Sequence, residues 1–153
     1  MAVADRADGG KMMPLSKQDK MRVVTAIRAV ESRSTAEIRV HVRHLCLGDP
    51  LKAAQRVFKT LGMHRTRGRN AVLIFVATAS HKLAVVGDQA IHEAAGARLW
   101  EDAAQEMKKK FSESQRGEAI VGAVERIGLE LARFFPADGT HSNELPDTIS
   151  EGQ

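Results

Sequence analysis

The sequence predicts an α/β domain built as a three-layer sandwich, in which a small mixed β-sheet of three to four strands is flanked by helices. Two segments have the apolar pattern of β-strands, Glu37–Val42 and Ala71–Ala77. Segments with helical spacing of apolar residues precede, separate and follow them. Helices on both sides of a small sheet, with a helical crossover between its first two strands, give such layers.

The first helix is predicted to begin after Ser16, a favourable N-cap residue, and to end near residues 32–34. One of its faces carries apolar residues at helical spacing, namely Val23, Val24, Ile27 and Val30. The next segment, Glu37–Val42, alternates apolar and polar residues. That alternation predicts a strand with one covered face.

A second helix is predicted where Asp49 can cap the helix and Pro50 can occupy its first position. After it, the loop 63–69 leads into the uninterrupted apolar run Ala71–Ala77, which is typical of a strand covered on both faces. A turn at residues 79–81 precedes the third strand, Lys82–Val86, so the two strands are expected to form a hairpin.

The rest of the folded part is predicted to be helical. A short helix follows Asp88, a second contains Trp100 and Met107, and the last begins near Glu118 and is ended by Pro136. The folded domain is therefore expected to cover residues 15–136. Residues 1–14 and the acidic stretch 137–153 are expected to be flexible tails.

Composition limits the classes of function. A chain of 153 residues with 43% apolar and 27% charged residues has the size and composition of one globular domain. A single cysteine, Cys46, excludes an intramolecular disulfide and is expected to be a buried, inert thiol. Because neither a secretory signal nor a long apolar run is found, we expect no transmembrane segment and a cytoplasmic location.

Four segments, read in order, resemble the TPM domain family: TAEIRVHV at Thr35–Val42, VFKTLGMHRTRGRNAVLIFVA at Val57–Ala77, VVGDQAIHEAAG at Val85–Gly96, and AIVGAVERIGLELARFFP at Ala119–Pro136. The resemblance implies a soluble, single-domain bacterial member with a mixed sheet between helices. It further implies candidate activities, because some members are reported as acid phosphatases and some bind calcium or other divalent ions through acidic loop residues. Many members also carry a signal peptide and a membrane span, patterns that this sequence does not show.

Three oxygen-bearing side chains at or near predicted strand ends are the candidate metal ligands: Glu37, Asn70 and Asp88. Carboxylate and amide oxygens suit Ca²⁺ or Mg²⁺, and the resemblance places all three residues in shared segments. Glu37 and Asp88 are also the candidate catalytic residues for a metal-assisted hydrolysis of small phosphate esters. The structural alternative makes Asp88 an N-cap and pairs Glu37 with a neighbouring arginine. No organic cofactor is expected.

The basic loop 63–69 is the second candidate site. Arg65, Arg67 and Arg69, followed by Asn70, are the candidate ligand-binding residues, because guanidinium groups match the geometry of phosphate. The partner would be a small phosphorylated ligand or, in a noncatalytic binding module, an anionic protein, lipid or nucleic acid. A nucleic acid is disfavoured because aromatic residues do not interleave with the basic ones. The alternative is a solvated basic loop.

The net charge agrees with an anionic partner without identifying one. The chain carries +4 overall, but residues 1–136 alone carry +8, because the stretch after Pro136 contains four acidic residues and no Lys or Arg. A surplus of this size attracts anions in general.

Overall fold

The structure is a computed structural model and describes residues 15–112, 116–139, 145–147 and 149–152. Its four described strands form one sheet: β1 (Glu37–Arg43), β2 (Ala71–Ala77), β3 (Lys82–Gly87) and β4 (Ser150–Glu151). The order across the sheet is β3-β2-β1-β4. β1 runs parallel to β2 and β4, and β3 runs antiparallel to β2. The predicted small mixed sheet is confirmed.

The described helices flank this open sheet: α1 (Lys17–Glu31), α2 (Pro50–Thr60), α3 (Gln89–Ala95), α4 (Ala97–Ser112) and α5 (Arg116–Phe134), with a short 3-10 helix at Met63–Arg65. The side chains of Ser16, Asp49 and Asp88 cap α1, α2 and α3 by accepting a hydrogen bond from a backbone amide of the first turn. Within the described part, none of these helices is long and apolar enough to cross a membrane.

The two faces of the sheet belong to two apolar clusters. Ile38, Val40 and Val42 of β1 pack with residues of α1, α4 and α5. On the other face, Leu73 and Phe75 of β2 pack with residues of α2. Every residue of β2 is buried, because β2 lies between β1 and β3 and has helices over both faces. The uninterrupted apolar run that predicts this strand has the same cause.

The C-terminal segment, defined here as residues 145–147 and 149–152, differs from the flexible tail expected for residues 137–153. Leu145 is buried in the cluster that contains Phe75. The Gly152 amide donates to the Val42 carbonyl at 2.9 Å, so the segment extends the sheet along β1. A strand of two residues has too little apolar periodicity to be recognised in the sequence. The tail expected at residues 1–14 lies outside the described residues.

Packing of α1 against α5 supplies a stability prediction. Gly128 in α5 lies against Val30 in α1, and a methyl group at position 128 would overlap with the Val30 side chain. We expect Gly128→Ala to lower the free energy of unfolding by about 1–3 kcal/mol, as overpacking does, when measured by chemical denaturation.

Gly122→Ala is the matched control in the same helix, because its methyl group would meet only the Nζ of Lys110, at the end of a flexible side chain. We expect this variant to be more stable by up to about 1 kcal/mol, from helix propensity. Equal effects of the two substitutions would contradict the described packing of α1 and α5.

Candidate functional site

The sheet brings the three predicted metal ligands to the same end of its strands. β1 and β2 begin there and β3 ends there, because β3 is antiparallel to both. Glu37 is paired with Ala71 in the parallel register. Asp88 follows β3, and its amide donates to the Ala71 carbonyl at 2.9 Å. Glu37, Asn70 and Asp88 therefore lie around the start of β2.

The carboxylate of Asp88 is held by a bidentate ion pair. Arg69 donates from Nε to Oδ2 at 2.9 Å and from Nη2 to Oδ1 at 3.0 Å, and the Gln89 amide donates to Oδ1 at 2.8 Å. The hydrogen bond and charge of Asp88 raise the pKa of Arg69. Both carboxylate oxygens thus have donors, as the N-cap alternative expects. Each member neutralises the charge of the other, so a metal at Asp88 or a phosphate at Arg69 would compete with this ion pair.

Glu37 and Asn70 make contacts that join neighbouring segments. Glu37 is 1% exposed, and its Oε1 accepts a hydrogen bond from the Leu145 amide at 2.7 Å. The Asn70 side chain donates to the Thr35 hydroxyl at 3.4 Å, while the Asn70 carbonyl accepts from the Glu37 amide at 3.3 Å. Glu37 therefore fixes the C-terminal segment, and Asn70 fixes the start of β1 to the start of β2.

A carboxyl pair, the buried Glu31 and the half-buried Asp147, lies at the outer side of β1. Glu31 ends α1, is 8% exposed, and accepts from the Ile38 amide at 3.4 Å. Burial, the hydrogen bond and charge of Asp147, and the charge of Glu37 raise the pKa of Glu31 to about 9. Glu31 therefore keeps its proton at neutral pH and donates it toward Asp147, whose Oδ2 lies 3.5 Å from Nε of Arg28.

The carboxyl pair is not apparent from the sequence. Asp147 lies in an acidic stretch that resembles a tail, and Glu31 resembles one of many charged residues on a helix. One signal was available, because a glutamate in the last turn of a helix faces the negative end of the helix dipole and is unfavourable there without a compensating contact. The contact comes from more than 100 residues further along the chain, as the hydrogen bond between Glu37 and Leu145 also does.

The predicted basic residues have different environments. Arg65 and Arg67 are exposed. Thr66 between them is 4% exposed, and its hydroxyl has no hydrogen-bond partner in the described part of the chain. On β1, burial followed by the charges of Arg43 and Arg39 lowers the pKa of His41 to about 4. His41 is therefore a neutral residue that contacts Ser150 at 2.9 Å.

A metal ion needs several ligand side chains that converge on one point. Across residues 15–112, 116–139, 145–147 and 149–152, no group of three or more His, Cys, Asp and Glu side chains is arranged to hold one. The set of Glu37, Asn70 and Asp88 stays a prediction. Cys46 is buried and donates from Sγ to the Gly48 carbonyl at 3.6 Å, as expected for a structural thiol.

Comparison with known proteins identifies similar folds. Residues 13–129 match a family model described as the TPM domain. The NMR structure of the BA42 protein from the psychrophilic bacterium Bizionia argentinensis is similar, with a TM-score of 0.84 and 31% identity over 92% of this chain and 97% of that chain. The N-terminal domain of the cg2496 protein from Corynebacterium glutamicum has the same fold, with a TM-score of 0.60 and 15% identity over 91% and 80% of the two chains. No match was found among curated proteins.

The raised pKa of Glu31 predicts how stability depends on pH. The folded state binds this proton more tightly than the unfolded state, whose glutamate has a pKa of 4.5. The contribution is complete below pH 4.5 and is lost as the pH rises toward about 9. We expect a fall of at most about 1.4 kcal/mol in the free energy of unfolding per pH unit across this window.

Glu31→Gln should flatten this dependence, because glutamine is neutral at every pH. Denaturation curves measured across the window would show the change, and the exposed Glu125, replaced by glutamine, is the control that should keep the wild-type slope. If the free energy of unfolding of Glu31→Gln fell with pH as steeply as that of the wild type, Glu31 would not be the group that holds the proton.

Proposed function

The chain belongs to the TPM domain family, and we propose that it is a cation-binding domain in which Ca²⁺ or Mg²⁺ replaces the proton of the carboxyl pair. The observation that carries the proposal is Glu31, a buried carboxyl group beside a second carboxyl group, with Glu37 close enough to raise its pKa. Two acidic groups in such a place need a proton or a cation between them.

The residues present fit a cation that keeps part of its water. Mg²⁺ is often bound by one or two carboxylates and several waters, and Ca²⁺ accepts carboxylates, backbone carbonyls and water at flexible positions. Glu31 and Asp147 would be the ligands, and the nearby charge of Glu37 would add to the attraction for the cation. Because Asp147 belongs to the C-terminal segment, binding would hold that segment against β1.

Hydrolysis of small phosphate esters is the finer part of this proposal, implied by membership of the family. A cation bound by the carboxyl pair would supply polarisation of a phosphoryl oxygen. Arg65 and Arg67, which are exposed at the loop before β2, would bind the phosphate charge. The noncatalytic alternative uses the same two arginines to bind an anionic partner without turnover.

Thermal unfolding tests the cation site. We expect CaCl₂ or MgCl₂ to stabilise the protein by about 2.7 kcal/mol at a hundredfold excess over Kd, and to do so more strongly at about pH 8 than at about pH 6, because the cation competes with a proton. Glu31→Gln and Asp147→Asn should each remove the shift. Asp88→Asn is the matched control and should keep it.

If Asp88→Asn lost the metal-dependent stabilisation and Glu31→Gln kept it, the cation would bind instead at the ligand set predicted from sequence, Glu37, Asn70 and Asp88. No shift with either metal in the wild-type protein would contradict the proposal as a whole.

Turnover of p-nitrophenyl phosphate tests the hydrolytic part. We expect weak, cation-dependent activity that falls by at least about tenfold when the charge of Glu31 is removed, since a metal contributes several kcal/mol to phosphoryl transfer. Activity that is equal in the wild-type protein and in Glu31→Gln, purified side by side, would identify a contaminating phosphatase. Absence of turnover would favour the noncatalytic alternative.

A further inference from the structure

The outer edge of β3 lies at the floor of a groove between two helices. The groove, here called the β3 groove, has a volume of about 580 Å³. Leu51 and Gln55 of α2 form one wall, and Trp100 and Ala104 of α4 form the other. Residues 84–87 of β3 form the floor. It lies at the opposite edge of the sheet from β4, and therefore from the carboxyl pair.

The floor of the groove presents unpaired main-chain groups. The Asp88 amide points toward β2, where it donates to Ala71, so alternate residues back along β3 point the same way. The amide and carbonyl groups of Leu83, Val85 and Gly87 then point away from β2, into the groove. Within the described residues they make no hydrogen bond to another segment. Such an edge is a template for a further strand.

The walls of the groove are apolar near the floor, and exposed lysines of α2 lie beside it. Leu51 is 45% exposed, although it is a large apolar residue. In α2, Lys52 is next to Leu51 and Lys59 follows Gln55 by one turn, so these two exposed lysines lie beside the groove, and the helix contains no acidic residue. Glu101 is the acidic residue among the side chains that line the groove. These walls suit a segment with alternating apolar and acidic side chains.

We propose that the β3 groove binds an extended acidic segment of a partner protein, which adds to β3 as a fifth strand of the sheet. In a strand, successive side chains point to opposite faces. Apolar side chains of the segment would contact Trp100 and Ala104, and acidic side chains on the other face would lie near Lys52 and Lys59. The proposal is independent of the cation site and concerns a different edge of the sheet.

A second copy of this chain is a poorer occupant than an acidic segment. Antiparallel pairing of two β3 strands about a two-fold axis keeps the faces of the two sheets aligned, so the two α2 helices would lie side by side. Each α2 carries Lys52, Arg56 and Lys59 without an acidic residue, and the like charges would repel.

Binding of a synthetic probe to the full chain tests the proposal. The probe is a peptide of about eight residues that alternates Val with Glu, the length of an ordinary strand. We expect NMR amide shifts of Leu83, Val85 and Gly87 to change, and their hydrogen exchange to slow, because these amides gain acceptors. The same peptide with N-methyl groups on alternate residues should not bind, since it keeps the side chains and loses the main-chain donors.

Charge reversal in the groove supplies the second measurement. The double variant Lys52→Glu, Lys59→Glu should lower the affinity for the peptide by about three- to tenfold, as expected for the loss of two exposed ion pairs. The double variant Arg56→Glu, Arg133→Glu carries the same charge change away from the groove and should bind as the wild type does. Equal losses in the two variants, or unchanged binding of the N-methylated peptide, would overturn the proposal. Shifts of the β3 amides that depend on protein concentration without peptide would overturn it in favour of a second copy.

Discussion

Two carboxyl groups, the buried Glu31 and the half-buried Asp147, lie together beside β1, and ionising both of them there is unfavourable. Burial raises the free energy of an isolated charge by several kcal/mol, and a second negative charge at hydrogen-bonding distance adds to this cost. In this fold the problem is met by a proton on Glu31, whose pKa is raised to about 9. The position of the C-terminal segment depends on that proton, because Asp147 is the other member of the pair.

The C-terminal segment is held by contacts of several kinds, and two of them titrate in opposite directions. Leu145 is buried and its amide binds Glu37, while Glu151 pairs with Lys20 at 2.7 Å. His41, which contacts Ser150, has a pKa lowered to about 4, so its contribution to stability is present above its usual value of 6.5 and is lost as the pH falls toward 4. Glu31 loses its contribution as the pH rises. The C-terminal segment is therefore held best at a pH at which Glu31 and His41 are both neutral.

Local patterns in the sequence are sufficient for most of the fold. Ser16, Asp49 and Asp88 are capping residues that act on the next few amides, and the apolar run of β2 reports burial on both faces of one strand. These effects extend over one turn or one strand, so they are visible without tertiary structure. Topology also places Glu37, Asn70 and Asp88 at one edge of the sheet, as their positions near strand ends predict.

The contacts of the residues at that end of the sheet could not be predicted. Some of their partners are distant in the sequence, and others are residues that were themselves candidate ligands. Arg69 was expected to bind phosphate and Asp88 to bind metal, yet each is also an ideal partner for the other, and the chain brings them together. The burial of Glu31 depends on Asp147, which precedes a strand of only two residues. A charged side chain carries no signal in the sequence that states whether its neighbour will be water, an arginine or a second carboxylate.

Direct titration of the Glu31 carboxyl group tests the account most closely. The ¹³C chemical shift of its side-chain carboxyl carbon can be followed by NMR as the pH is raised, first without metal and then with Mg²⁺ or Ca²⁺. We expect a midpoint near pH 9 without metal and a lower midpoint when the cation is present. A midpoint near 4.5, the ordinary value for glutamate, would contradict it.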